Sequence, residues 1–160
     1  AYCMEQATDR CKMYCGEKNQ MYSALSEELA RMYNAAGRRE ESLACHLAVR
    51  NQLFKNGYRE GSLLLMVDNN MSVVYLDLGK PEEAIPYLTE ALELTKENGL
   101  VGSAVAEPTW NLARVYRALG DEEKEDIYLK AAVEGFRECY PPEHPKRIAA
   151  EQRLKERQEE

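Results

Sequence analysis

Residues 71–94 read MSVVYLDLGKPEEAIPYLTEALEL, and this stretch decides the fold. Met71, Val74, Tyr75 and Leu78 recur at the three-and-four spacing of one helical face, and Ala84, Leu88, Ala91 and Leu92 do the same beyond Gly79-Lys80-Pro81. Gly79 suits a left-handed close to the first helix. Pro81 suits the first turn of the second, where its missing N–H would have had no intrahelical partner. The stretch therefore predicts two antiparallel helices joined in a hairpin. One hairpin leaves apolar faces uncovered, so further copies are expected to stack on it.

Two more copies are present. Residues 24–54 read ALSEELARMYNAAGRREESLACHLAVRNQLF around Gly37, and residues 108–136 read PTWNLARVYRALGDEEKEDIYLKAAVEGF around Gly120. A large apolar residue stands eight before each Gly (Leu29, Met71, Leu112), a small one follows it (Ala30, Ser72, Ala113), and a Tyr lies four before the Gly (Tyr33, Tyr75, Tyr116). The three glycines are 42 and 41 residues apart, and the breaks at Asn56-Gly57, Asn98-Gly99 and Tyr140-Pro141 recur independently at 42.

This order of large, small and Tyr positions, with a small residue five beyond the Gly, resembles the tetratricopeptide repeat, whose usual period is about 34 residues. The longer period resembles the variety found in kinesin light chains, as does PPEHP at 141–145. The resemblance covers nearly the whole chain. It implies an all-α fold, a right-handed superhelix of antiparallel hairpins with about eight helices in one domain, residues 1–160. Within it, residues 1–17 form a half repeat, 20–57, 60–99 and 102–140 three whole ones, and 145–160 a closing, capping helix that is polar all round after Leu154. The junctions Gly57–Gly61 and Gly99–Gly102 are expected to be tight turns, and a start inside a repeat is read as a piece of something longer.

The copies also differ. The small position five beyond the Gly is Ser42, then Ala84, then Glu125, which puts close packing in doubt for the third hairpin. His46 takes a position usually given to a large apolar side chain and is expected half-buried with a hydrogen-bond partner. Trp110 stands where the first two copies have Glu27 and Asn69.

Composition narrows the function. With 44% apolar and 31% charged residues the chain is a folded globular type, and no apolar run reaches the roughly 20 residues a membrane span needs. A net charge of -7 argues against nucleic acid as a partner, because phosphate neutralisation needs a surplus of Lys and Arg. The five cysteines, Cys3, Cys11, Cys15, Cys45 and Cys139, are odd in number and lack close CxxC pairs, so free thiols in a reducing compartment such as the cytoplasm are expected, with no disulfide and no metal. There is no phosphate loop, no HExxH and no GxSxG, and acidic pairs such as Glu82-Glu83 fall in helix first turns where they complement the dipole. No catalytic residue and no cofactor is expected.

What remains is surface. The resemblance implies that the first helix of each hairpin lines a concave face. Nine residues before each Gly stand Glu28, Asn70 and Asn111, with Arg153 at the matching place in the last helix. Asn offers both a donor and an acceptor to an extended main chain, and in peptide-binding members of the resembled family Asn here often holds the ligand backbone. The alternative is that both asparagines are structural. The same face is expected to carry Arg31, Asn34, Asn69, Val73, Asp77, Trp110, Arg114 and Arg117, with Arg114, Arg117 and Arg153 suited to a carboxylate. The functional expectation is a protein-interaction module that binds a partner's peptide segment in its groove, as part of an adaptor or regulator. The alternatives are a peptide-sensing domain that controls an attached effector, and a scaffold that self-associates through its repeat ends.

Overall fold

A computed structural model describes residues 2–16, 20–57 and 62–159. Among the described residues there are eight α-helices, one 3₁₀ turn and no strand. The helices are α1 (Tyr2–Cys15), α2 (Gln20–Ala35), α3 (Arg39–Lys55), α4 (Ser62–Asp77), α5 (Ile85–Glu97), α6 (Ser103–Leu119), α7 (Glu122–Cys139) and α8 (Pro145–Glu159). Each of the first seven ends within two residues of the Gly or Pro that predicted the break. The expected turn at Gly57–Gly61 runs into residues 58–61, which lie outside the described residues, as do residue 17 and the side chain of Cys3.

The helix ends follow one chemistry. At Gly37 the chain turns left-handed (φ 76°), Gly37 N–H donates to the Asn34 carbonyl at 2.9 Å and Arg38 N–H to the Tyr33 carbonyl at 2.9 Å. Gly120 repeats this pair of bonds with Arg117 and Tyr116, and Gly99 with Lys96 and Thr95. These are the paired C-terminal caps that satisfy the otherwise orphaned carbonyls of a last turn. The second helix of the central hairpin departs from expectation, because Pro81–Ala84 is a 3₁₀ turn and α5 begins only at Ile85. Pro86 has no N–H to give the Glu82 carbonyl, and Ile85 N–H takes that acceptor in the tighter pattern.

The chain divides into two compact units, residues 1–79 and 80–160. In the first, α1 packs on α2, α2 on α3 and α3 on α4, and α2 also touches α4. Leu29, Ala30, Val49, Leu53, Leu64, Val67, Met71 and Val74 are buried there. In the second, α5 and the 3₁₀ turn pack on α6, α6 on α7 and α7 on α8, and Leu88, Leu112, Ala113, Leu129, Val133, Phe136 and Ala150 are buried. Helices α6 and α7 approach so closely that a Cβ placed on Gly135 would stand 2.9 Å from that of Ala106.

Glu125, expected to loosen this hairpin, is instead 3% exposed and fully paired. Arg153 on α8 holds it with two nitrogens of its guanidinium, Nε to Oε1 at 2.7 Å and Nη2 to Oε2 at 3.1 Å. The polar end of α8 is held in the same way, since Arg157 reaches Asp126 at 3.0 Å and Glu122 at 3.3 Å on α7. The last helix is thus fixed by ion pairs as well as by Ala150 and Leu154.

Candidate functional site

In the first unit, Glu27, Arg31 and Asn34 are spaced four and three apart on α2, and Asn70, Val73 and Asp77 three and four apart on α4, so each trio forms one stripe. The stripes adjoin, because Asn70 Nδ2 donates to Glu27 Oε1 at 2.6 Å. Along them Arg31 is exposed and paired with Glu28 at 2.9 Å, Asn34, Asn70 and Val73 are half-buried, and Asp77 is exposed with Arg39 at 3.9 Å. The Asn34 side-chain oxygen is buried and has no hydrogen-bond partner among the described residues.

At the buried end of the α2 stripe lies a charged group that the sequence does not announce. Glu27 is 1% exposed, and its other oxygen, Oε2, meets Nδ1 of His46 at 2.8 Å. His46 is itself 1% exposed, more deeply buried than the half-burial expected of it. A carboxylate only accepts, so His46 donates through Nδ1, and α2, α3 and α4 are joined at one buried carboxylate. The signal is present as His46 where the other copies have Leu88 and Leu129 and Glu27 where they have Asn69 and Trp110, but the pairing of the two is visible only in three dimensions.

In the second unit, Trp110, Arg114 and Arg117 share one stripe of α6. Trp110 is half-buried and meets Phe136 edge-on at 6.4 Å, Arg114 is half-buried, and Arg117 is exposed. Asn111 is only 7% exposed, and its Oδ1 accepts from Arg114 Nη1 at 3.3 Å. The position ten before each Gly turns inward in all three copies, with Glu27 and Asn69 buried and Trp110 packed on the core. Arg153, expected as a further cation for a carboxylate, has Glu125 for that purpose.

Among the described residues neither unit gathers an acid–base pair beside an activated nucleophile. Burial pushes the Cys11, Cys45 and Cys139 thiols up, the reverse of what a reactive thiolate needs. Among the described residues no group of three or more His, Cys, Asp or Glu is placed to hold a metal, and no helix is long and apolar enough to cross a membrane.

Residues 63–138 match the family model for the tetratricopeptide repeat. That segment is similar to a run of tetratricopeptide repeats. Solved structures extend the likeness of fold beyond it. A Podosopora anserina protein with nearly identical TPR-like repeats, assigned to the kinesin light chains, matches with a TM-score of 0.79 at 22% identity, covering 98% of this chain and 74% of that one. A second structure of that protein gives a TM-score of 0.77 with the same identity and coverage. BtubC (BKLC) from P. vanneervenii gives 0.72 at 19% identity, over 88% of this chain and 64% of that one. No curated protein sequence matches. The likeness of fold to these TPR-like repeats, expected from the long period, is thereby shown, and tetratricopeptide repeats are in general protein-interaction modules.

Proposed function

We propose that the chain binds a peptide segment of a partner protein through the first helices of its hairpins, each unit by a face of its own: α2 and α4 in the first, α6 in the second. The single observation that carries this reading is the treatment of Asn70. A half-buried amide is held on one side by a carboxylate that is almost wholly withdrawn from water, a placement that costs stability unless each partner is satisfied. Arg31, Asn34 and Val73 flank it. Asn69 supports this surface from behind; in the second unit Arg114 and Arg117 supply charge attraction, and Trp110 and Asn111 support that face from behind. The role is binding without catalysis, in an adaptor or regulator, and five cysteines without paired spacing fit a reducing compartment such as the cytoplasm.

The test is direct. A peptide selected on this chain from a displayed library of random dodecapeptides is titrated against wild type, Asn70→Ala and Arg114→Ala. One lost hydrogen bond of roughly 0.5–1.5 kcal/mol corresponds to about two- to tenfold weaker binding for Asn70→Ala, while Arg114→Ala should flatten the dependence on salt. Unchanged affinity for both variants, with helicity intact, overturns the reading.

A further inference from the structure

We propose that Glu27, oriented by His46, sets the sense in which Asn70 is read: it fixes the amide with nitrogen inward, so that Asn70 presents an acceptor and takes an N–H donor from the ligand. The inference rests on the peptide-binding reading and adds to it the polarity of the contact. An asparagine amide is by itself ambiguous, since a half-turn about its last bond exchanges donor and acceptor. Here a neighbour removes the ambiguity. Glu27 Oε1 lies 2.6 Å from Nδ2, and turning the amide would set two acceptors against each other at that distance with no water to separate them.

Glu27 in turn is held from the far side. His46 Nδ1 at 2.8 Å engages Oε2, so the carboxylate spends one oxygen on α3 and the other on α4. With both partners within hydrogen-bond reach and the carboxylate 1% exposed, rotation of the carboxyl group or solvation by bulk water is closed off. Three helices thus determine one rotor. Among the described residues no hydrogen bond to Asn70 Oδ1 is made by a side chain, and the residue is only half-buried. The chemical class that fits an outward oxygen is an N–H, and an extended peptide supplies one from its main chain. Glu27 and His46 are positioning residues, since neither reaches the groove surface.

The experiment has one readout without ligand and one with it. In the full chain labelled with ¹⁵N, the Asn70 side-chain amide protons should exchange with water at least tenfold more slowly in wild type than in Glu27→Leu. Glu27→Gln should keep that protection, because its oxygen can still accept from Asn70 while its nitrogen donates to His46. In that variant the His46 ring should change tautomer, with Nδ1 losing its proton, a shift that a merely space-filling Glu27 would not produce. With the library-selected dodecapeptide, methylating each backbone nitrogen in turn should reveal one position that costs wild type about tenfold. That penalty should vanish in Asn70→Ala, shrink in Glu27→Leu and persist in Glu27→Gln. Equal exchange rates in wild type and Glu27→Leu, or a penalty unchanged by Glu27→Leu, overturns the positioning role. If Asn70→Ala binds every peptide as wild type does, the peptide-binding reading fails instead, and the exchange measurement still decides the orientation.

Discussion

At the scale of single residues, the pair Glu125–Arg153 shows how a repeat tolerates a charge where its neighbours carry Ser42 and Ala84. Removing the arginine strands a buried carboxylate, so Arg153→Ala should lose roughly 3–5 kcal/mol. The double change Glu125→Ala/Arg153→Leu returns the small side chain of the other copies and should recover most of that loss. Denaturant midpoints of the two variants check this, and equal loss in both would contradict it. Gly135 offers a sharper sign test. Helix propensity alone favours Gly135→Ala by about 1 kcal/mol, yet the new methyl would meet Ala106 at 2.9 Å, so the variant should be less stable than wild type. Titration gives a third. The Tyr33 hydroxyl donates to Glu5 at 2.6 Å and, with burial adding to that bond, its ionisation is pushed up to about 12. Burial first and Glu107 second push Tyr140 to about 12 as well. Both folded values lie above those of an unfolded tyrosine, so their contribution to stability is complete below pH 10 and lost as pH rises from 10 towards 12. Tyr33 and Tyr140 should therefore ionise late in an absorbance titration, and Tyr33→Phe and Tyr140→Phe should each remove one late-ionising group.

At the scale of elements, Gly and Pro positions make most of the helices legible in the sequence, because a left-handed C-cap and a missing N–H are backbone demands that few residues meet. The 3₁₀ turn at Pro81–Ala84 is legible in principle from Pro86, but the competition for the Glu82 carbonyl is a matter of one bond and does not show in the apolar periodicity. The turn packs on α6, and Ala84 is fully buried in it. Enlarging that residue, as in Ala84→Leu, should overpack the contact at a cost of roughly 1–3 kcal/mol, read from the midpoint of chemical unfolding. Helix α8 is less legible. Its all-round polarity suggests a plain solvated cap, whereas Arg137, Arg153 and Arg157 tie it through Glu151, Glu125 and Asp126 to α7. Each partner lies at least one helix away in sequence or on the same face, and sequence spacing alone does not show which charges meet.

At the scale of the whole molecule, periodicity carries the architecture and leaves the site half written. The 42-residue recurrence marks repeats that the family model matches over 63–138, and the fold likeness spans nearly the entire chain. The candidate face is legible as positions: Asn70 and Asn111 stand nine before their glycines. It is not legible as depth, since Asn111 is buried against Arg114 while Asn70 is half-buried over Glu27. That difference arises from which neighbour each amide finds, a three-dimensional property. The most direct test of peptide binding through the first helices is chemical-shift mapping of the library-selected dodecapeptide on the ¹⁵N-labelled chain. The account predicts that perturbed amides concentrate on α2, α4 and α6, around Arg31, Asn34, Asn70, Val73, Arg114 and Arg117. Perturbation concentrated instead on α3, α5 and α7, or around the exposed Met13 and Tyr14 of α1, would contradict it.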